Sequence, residues 1–316
     1  MFDQFILLVQ IVAPVFVIMA LGYGARKRGI LSAEADRSLT RLVVMVLAPC
    51  LSLHVIIGNK ALMDFHNLVL PPLLGVAFVA LSIAISHLAA RIFRISEENR
   101  RTFVYTTCLQ NYGYIPIPLC FALFKNDYAT QGVLFAFILG VEISFWSIAL
   151  WQLTGHSKEN GWKRAINPPV VAIVTSIILN ACQAGEWMPG AIKNTYDILS
   201  SCTVPMALLL SGALIADNMT AQSFKSRGHT ILASTAARII AIPALMILFA
   251  KFAPLDAALK NVIVLQAAMP AAIFPIVVVK VHHGDLPTAL QVVLGTSFIG
   301  LVTIPLWIGF GLHWIH

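Results

Sequence analysis

Charge is what this 316-residue sequence has least of. Only 11% of its residues are Asp, Glu, Lys or Arg, and 59% are hydrophobic, whereas soluble chains carry roughly 25% charged and about 45–50% apolar residues. That poverty excludes an ordinary soluble domain, and a mean hydropathy of +0.84 agrees. Cysteine is sparse, odd in number and scattered (Cys50, Cys108, Cys120, Cys182, Cys202), with no C-x-x-C pair. Neither a zinc site nor a disulfide framework is expected, and each cysteine reads as a small buried apolar residue. Enzyme signatures are missing: there is no H-E-x-x-H, no G-x-S-x-G and no G-x-x-x-x-G-K-[ST]. A protease, a hydrolase and an ATP-driven pump are thereby disfavoured, and no cofactor is expected. No basic stretch precedes the first apolar run, which opens Met1-Phe2-Asp3-Gln4, so a cleaved signal peptide is not expected.

What the sequence does have is apolar length. A bilayer core about 30 Å thick takes roughly 20 apolar residues per helix. Such runs fall at 5–25, 39–58, 68–92, 102–124 and 130–152, then at 165–184, 197–215, 229–250, 260–281 and 288–312. The expected fold is all-α and polytopic, with ten transmembrane helices. Residues 154–164, Thr154-Gly155-His156 through Lys163-Arg164, form the clearest polar linker and divide the chain into 1–153 and 165–316.

The net charge of +7 would suggest nucleic acid in a soluble chain, but here its distribution describes topology. Loops after the odd spans hold fifteen Lys and Arg, from Arg26 to Lys280. Loops after the even spans hold five: Lys60, Lys125, Lys193, Lys251 and Lys260. Basic loops stay in the cytoplasm, so both termini are expected outside an inner (plasma) membrane, with the linker inside and no nucleic-acid partner. The halves also echo each other. Pro49 matches Pro205 and Trp151 matches Trp307 at an offset of 156, Leu139-Gly140 matches Leu294-Gly295 at 155, and Pro116 matches Pro270 at 154. With five spans per half, the second half must be inverted, a plan shared by many secondary transporters.

Two segments carry the candidate chemistry. Span 4 contains Gln110-Asn111-Tyr112-Gly113-Tyr114-Ile115-Pro116-Ile117-Pro118. Pro116 and Pro118 delete two N–H donors and clash with the carbonyls of Tyr112 and Tyr114, so the helix is expected to break at mid-depth. Span 9 repeats the device in Gln266-Ala267-Ala268-Met269-Pro270, with Pro275 beyond; Pro270 should free the Gln266 carbonyl and Pro275 that of Ala271. Broken backbone at membrane depth is tolerated only where it lines a cavity or is buried in protein. A pair of interrupted spans in matching places points to a transport site, although a proline kink can also serve packing alone. The expected substrate-binding residues are Asn111, Tyr112, Gly113, Pro116, Gln266, Met269 and Pro270. Half-helices starting after the breaks would turn positive dipole ends to the centre, favouring an anion.

Two charges fall in the middle of apolar runs, Glu142 in span 5 and Arg238 in span 8. Each is costly there and a functional candidate, either as a coupling site or as a static charge pair. His54 and His87 read as packing histidines. Ser52 and Thr203 flank prolines and read first as small residues for close helix packing.

These motifs resemble the auxin efflux carrier family, whose bacterial members include malonate and malate permeases, within the bile-acid/arsenite transporter superfamily. The resemblance runs from Pro14-Val15-Phe16 through Asn111-Tyr112-Gly113-Tyr114-Ile115-Pro116 and Ala268-Met269-Pro270-Ala271-Ala272 to Thr303-Ile304-Pro305-Leu306-Trp307. It implies spans 1, 2, 6 and 7 as a scaffold and spans 3–5 and 8–10 as a moving unit. Spans 4 and 9 would cross beside the substrate, with elevator-like motion and a homodimeric assembly. Pro118 and Pro275 depart from the usual pattern. The leading reading is a secondary carrier of an organic anion, a mono- or dicarboxylate. The alternatives are a sodium-coupled carrier of the bile-acid type and a membrane-embedded enzyme or sensor that does not transport. The topology has a direct test: labelling in intact cells should spare a cysteine placed at Lys158 and modify one placed at Lys193, and the opposite pattern would contradict ten spans.

Overall fold

The computed structural model describes residues 2–155, 167–218 and 228–315. From residue 156 on, the linker at 154–164 lies outside the described residues, as do Lys225 and Arg227. Among the described residues the regular structure is helical. We label the helices α1 (Phe2–Lys27), α2 (Glu34–Ile56), α3 (Phe65–Ile92), α4 (Glu97–Cys108), α5 (Pro116–Leu123) and α6 (Tyr128–Thr154). There follow α7 (Pro168–Ala181), α8 (Gly190–Asn218), α9 (Gly228–Phe252), α10 (Ala257–Ala267), α11 (Pro275–Val281) and α12 (Leu286–Ile315). Seven of these, α1, α2, α3, α6, α8, α9 and α12, are long and apolar enough to cross a membrane. The other three expected runs are shorter helices. The run at 102–124 divides into α4 and α5, that at 260–281 into α10 and α11, and that at 165–184 is α7.

Local chemistry sets the boundaries. Asp127, Asn167 and Asp256 cap α6, α7 and α10, each accepting the N–H three residues on, and Pro168 begins α7 where its missing donor costs nothing. The prolines inside long helices leave marks. Pro243 has no N–H for the Ile239 carbonyl four residues back, and the Trp307 indole N–H takes that carbonyl at 2.7 Å. The turn before Pro243 widens into a π-helix over Thr235–Ala241, and another, Val43–Leu47, precedes Pro49. Arg238 rides on the first of these.

The surface is inverted relative to a soluble protein. Val17, Leu21, Leu73, Ile178, Ile198 and Val302 are exposed, while Gln110, Gln266, Gln291 and Arg238 are buried. Such a chain needs lipid outside. Helices α1, α2, α7 and α8 pack on one another, and α3–α6 with α9–α12 form the other body of contacts. His54 Nδ1 meets Asp197 Oδ1 at 2.6 Å between α2 and α8, both partly exposed, so His54 is a hydrogen-bond partner that links the two helices. His87 bonds Gln152 at 3.0 Å.

Each body contains a pair of helices in backbone contact. A Cβ on Gly212 would lie 1.9 Å from the Met19 carbonyl oxygen, and one on Gly140 would lie 1.9 Å from that of Pro72. Close approach of this kind supplies van der Waals cohesion where lipid removes the hydrophobic drive between helices. Gly140→Ala should therefore cost about 1–3 kcal/mol by forcing α3 and α6 apart, read as a lower thermal midpoint of the purified protein. Gly24→Ala, whose Cβ meets nothing within 4 Å, should leave that midpoint nearly unchanged.

Candidate functional site

The site is built from what the prolines leave unpaired. Helix α4 ends at Cys108 and α5 begins at Pro116. Pro116 orphans the Tyr112 carbonyl, and the Gln266 side chain reaches across from α10 to donate to it at 3.0 Å. The break between α10 and α11 runs over residues 268–274. The two breaks meet as an antiparallel bridge between Gln110 and Ala271. The Asn111 N–H donates to the Pro270 carbonyl at 2.8 Å, and the Ala272 N–H donates to the Leu109 carbonyl at 2.9 Å. Thr296 Oγ1 of α12 accepts from the Ala271 N–H at 3.2 Å, and Asn111 Oδ1 accepts from the Ile115 N–H at 3.3 Å. The Gln266 carbonyl is not left free as expected, because Met269 N–H donates to it at 3.3 Å in a tight turn.

Beside this crossing lies a cavity of about 240 Å³. One wall comes from α2, the start of α7, and α8, with Ser52, Asn167 and Thr203 as its polar groups. The other comes from the two breaks and α6, with Asn111, Tyr112, Tyr114, Glu142 and Trp146. Everything else on the wall is apolar, and no Lys, Arg or His lines it among the described residues. The cavity thus brings together Asn111, Tyr112, Gly113 and Glu142. Pro116, Gln266, Met269 and Pro270 do not line it; they are buried behind the wall and hold the crossing in place.

Glu142 and Arg238 do not meet. The Glu142 carboxylate accepts from Trp146 Nε1 at 3.0 Å, from Asn167 Nδ2 at 3.5 Å, and from the Tyr112 side chain. Its two aromatic partners pack on Phe145, whose ring lies 4.8 Å from Trp146 and 6.3 Å from Tyr112, with Phe274 at 5.9 Å, centroid to centroid. Arg238 is on the far side of the crossing, where its Nη1 donates to Gln110 Oε1 at 3.4 Å. Trp146 and Asn167 escaped the sequence reading. Trp146 had a signal, since it follows the intramembrane Glu142 by one helical turn. Asn167 also caps α7. Among the described residues no group of three or more His, Cys, Asp or Glu converges as metal ligands would.

The sequence profile of the family described as Membrane transport protein matches residues 7–161 and 154–308. An uncharacterized transporter of Methanocaldococcus jannaschii is 22% identical over 308 residues, covering 94% of this chain and 97% of its own. One from Methanothermobacter thermautotrophicus is 23% identical over 304 residues, covering 94% and 96%. An uncharacterized transporter of Schizosaccharomyces pombe is 31% identical over 109 residues, covering 34% of this chain and 24% of its own.

The two kinds of residue at the crossing should separate in experiment. Gln266→Leu strips the Tyr112 carbonyl of its donor and should destabilise the protein by about 1–3 kcal/mol, the cost of a buried unpaired group. Asn111→Ala removes the acceptor of the Ile115 N–H along with a cavity amide, so it should lower the thermal midpoint by a comparable amount and in addition weaken ligand binding by about tenfold. Thermal unfolding with and without ligand reads both.

Proposed function

The chain belongs to the membrane transport protein family, and from that membership we propose that it is a secondary carrier of an organic anion, a mono- or dicarboxylate. The observation that supports this reading is the cavity at the crossing of the two breaks. Its apolar wall suits an organic body, and its amide, indole and hydroxyl groups suit a polar head. We take the chain as ten spans in two inverted halves, 1–153 and 165–316, joined by a cytoplasmic linker at 154–164. Both termini lie outside an inner membrane in this reading, and the assembly is a homodimer. The cavity lies between the two packed bodies, which favours an elevator: α1, α2, α7 and α8 stay fixed while the body holding the crossing slides past them.

A carboxylate entering this cavity meets Glu142. Two negative charges in an apolar space repel strongly, and a proton on Glu142 would remove the repulsion and turn the carboxyl into a donor. Glu142 is therefore proposed as the group that carries a proton with the substrate. Tyr112 from the first break touches it, and Tyr105 of α4 and Tyr114 are the other ionisable groups within electrostatic range.

Purified protein in proteoliposomes should accumulate a labelled carboxylate above the level of empty vesicles, faster as the external pH falls. Glu142→Gln should bind the same carboxylate but lose that pH dependence. Absence of uptake by wild type contradicts the carrier reading. A Glu142→Gln protein that keeps the wild-type pH profile removes this carboxyl from coupling.

A further inference from the structure

The cavity presents an acid and no base, so an anion bound there needs positive charge from elsewhere. We infer that Arg238 supplies it as a fixed counter-charge set behind the crossing, where it makes the site prefer a carboxylate over its neutral analogue. The inference rests on the organic-anion reading and names the residue that sets its charge selectivity.

Three observations carry it. First, Arg238 is fully buried, 0% exposed, and no carboxylate lies within ion-pairing distance of it among the described residues. Its Nε and Nη2 have no hydrogen-bond partner. A buried cation without compensation is unfavourable and inside a membrane points to function. Second, its one bond goes to the crossing itself: Nη1 donates to Gln110 Oε1 at 3.4 Å. Third, Gln110 is extended, as its bridge with Ala271 requires, and adjacent side chains on an extended chain point to opposite sides. Asn111 lines the cavity, and Gln110 reaches back to the guanidinium. The positive charge thus sits one residue behind the wall, screened from water and from direct contact with substrate. Glu142 occupies the cavity side with Trp146, Asn167 and Tyr112 as its own partners, so it does not cancel Arg238 by contact. Arg238 acts as a positioning charge, felt by the substrate through the crossing.

A unit charge about 10 Å away at an effective dielectric near 20 changes binding by roughly ten- to twentyfold. The test uses acid and amide pairs: phenylacetate against phenylacetamide, hexanoate against hexanamide, succinate against succinamide. Affinities are measured by calorimetry on the purified full chain. Wild type should prefer the acid of at least one pair. Arg238→Gln should lower that acid-to-amide ratio by roughly tenfold, leaving amide affinity near wild type, while Arg238→Lys should retain most of the preference. A purely structural role would weaken acid and amide alike. If Arg238→Gln does not fold, the same ratio is measured in Arg238→Met combined with Gln110→Leu, which replaces the buried polar contact with apolar side chains. A wild type that prefers no acid over its amide overturns the anion reading and this inference with it. A wild type that prefers an acid, with the ratio unchanged in the charge-removing variant, overturns this inference alone.

Discussion

A carbonyl deprived of its helical partner by proline must find another donor wherever water is excluded, and this molecule is arranged around meeting that demand. Pro116 frees the Tyr112 carbonyl, and the Gln266 side chain from the opposite half of the chain takes it. Pro243 frees the Ile239 carbonyl, and the Trp307 indole takes it. At the centre the two breaks satisfy each other, with Asn111 donating to Pro270 and Ala272 donating to Leu109. Neither break is tenable alone, so each half of the sequence supplies what the other lacks. Gln266 and Pro270, which look like part of a binding motif in the sequence, serve this mutual support behind the wall, while Asn111 both joins the support and lines the cavity with Gly113.

The same arrangement sorts charge. Backbone crossing in an extended conformation divides the site into a front and a back. Glu142, Trp146, Asn167 and Tyr112 gather at the front around an apolar space, and Arg238 lies at the back on Gln110. The glycine contacts at Gly212 and Gly140 hold each packed body together by backbone approach. Cohesion within a body and a cavity at the boundary between bodies are the two properties that a sliding mechanism requires.

Much of this was legible in the sequence, and the limits follow from the range of each interaction. A proline's effect on its own helix is local, so both breaks could be read directly from Pro116 and Pro270. The partners of the freed groups were not legible. Thr296, the Gln110–Ala271 bridge and the Gln266 amide arrive from residues far apart in sequence. Glu142 and Arg238 stood out by hydropathy alone, but their separation by the crossing depends on which way each helix faces. His54 was read as packing because it stands singly in its run, and the Asp197 that satisfies it is 143 residues away. Seven helices are long and apolar by themselves, and the shorter ones acquire meaning only through the contacts that join them.

Gly113 offers the most direct test that the crossing cavity is a transport site opening to each side of the membrane in turn. It lines the cavity, and a Cβ added there meets nothing within 4 Å, so a protein whose only cysteine is Gly113→Cys places a thiol in open space. Reaction of that thiol with a membrane-impermeant reagent, measured in right-side-out and in inverted vesicles, reports access from each face. Labelling is expected in both orientations, slowed in both by a transported carboxylate. Labelling from one face only, or labelling indifferent to every carboxylate the protein carries, would contradict a transport site at the crossing.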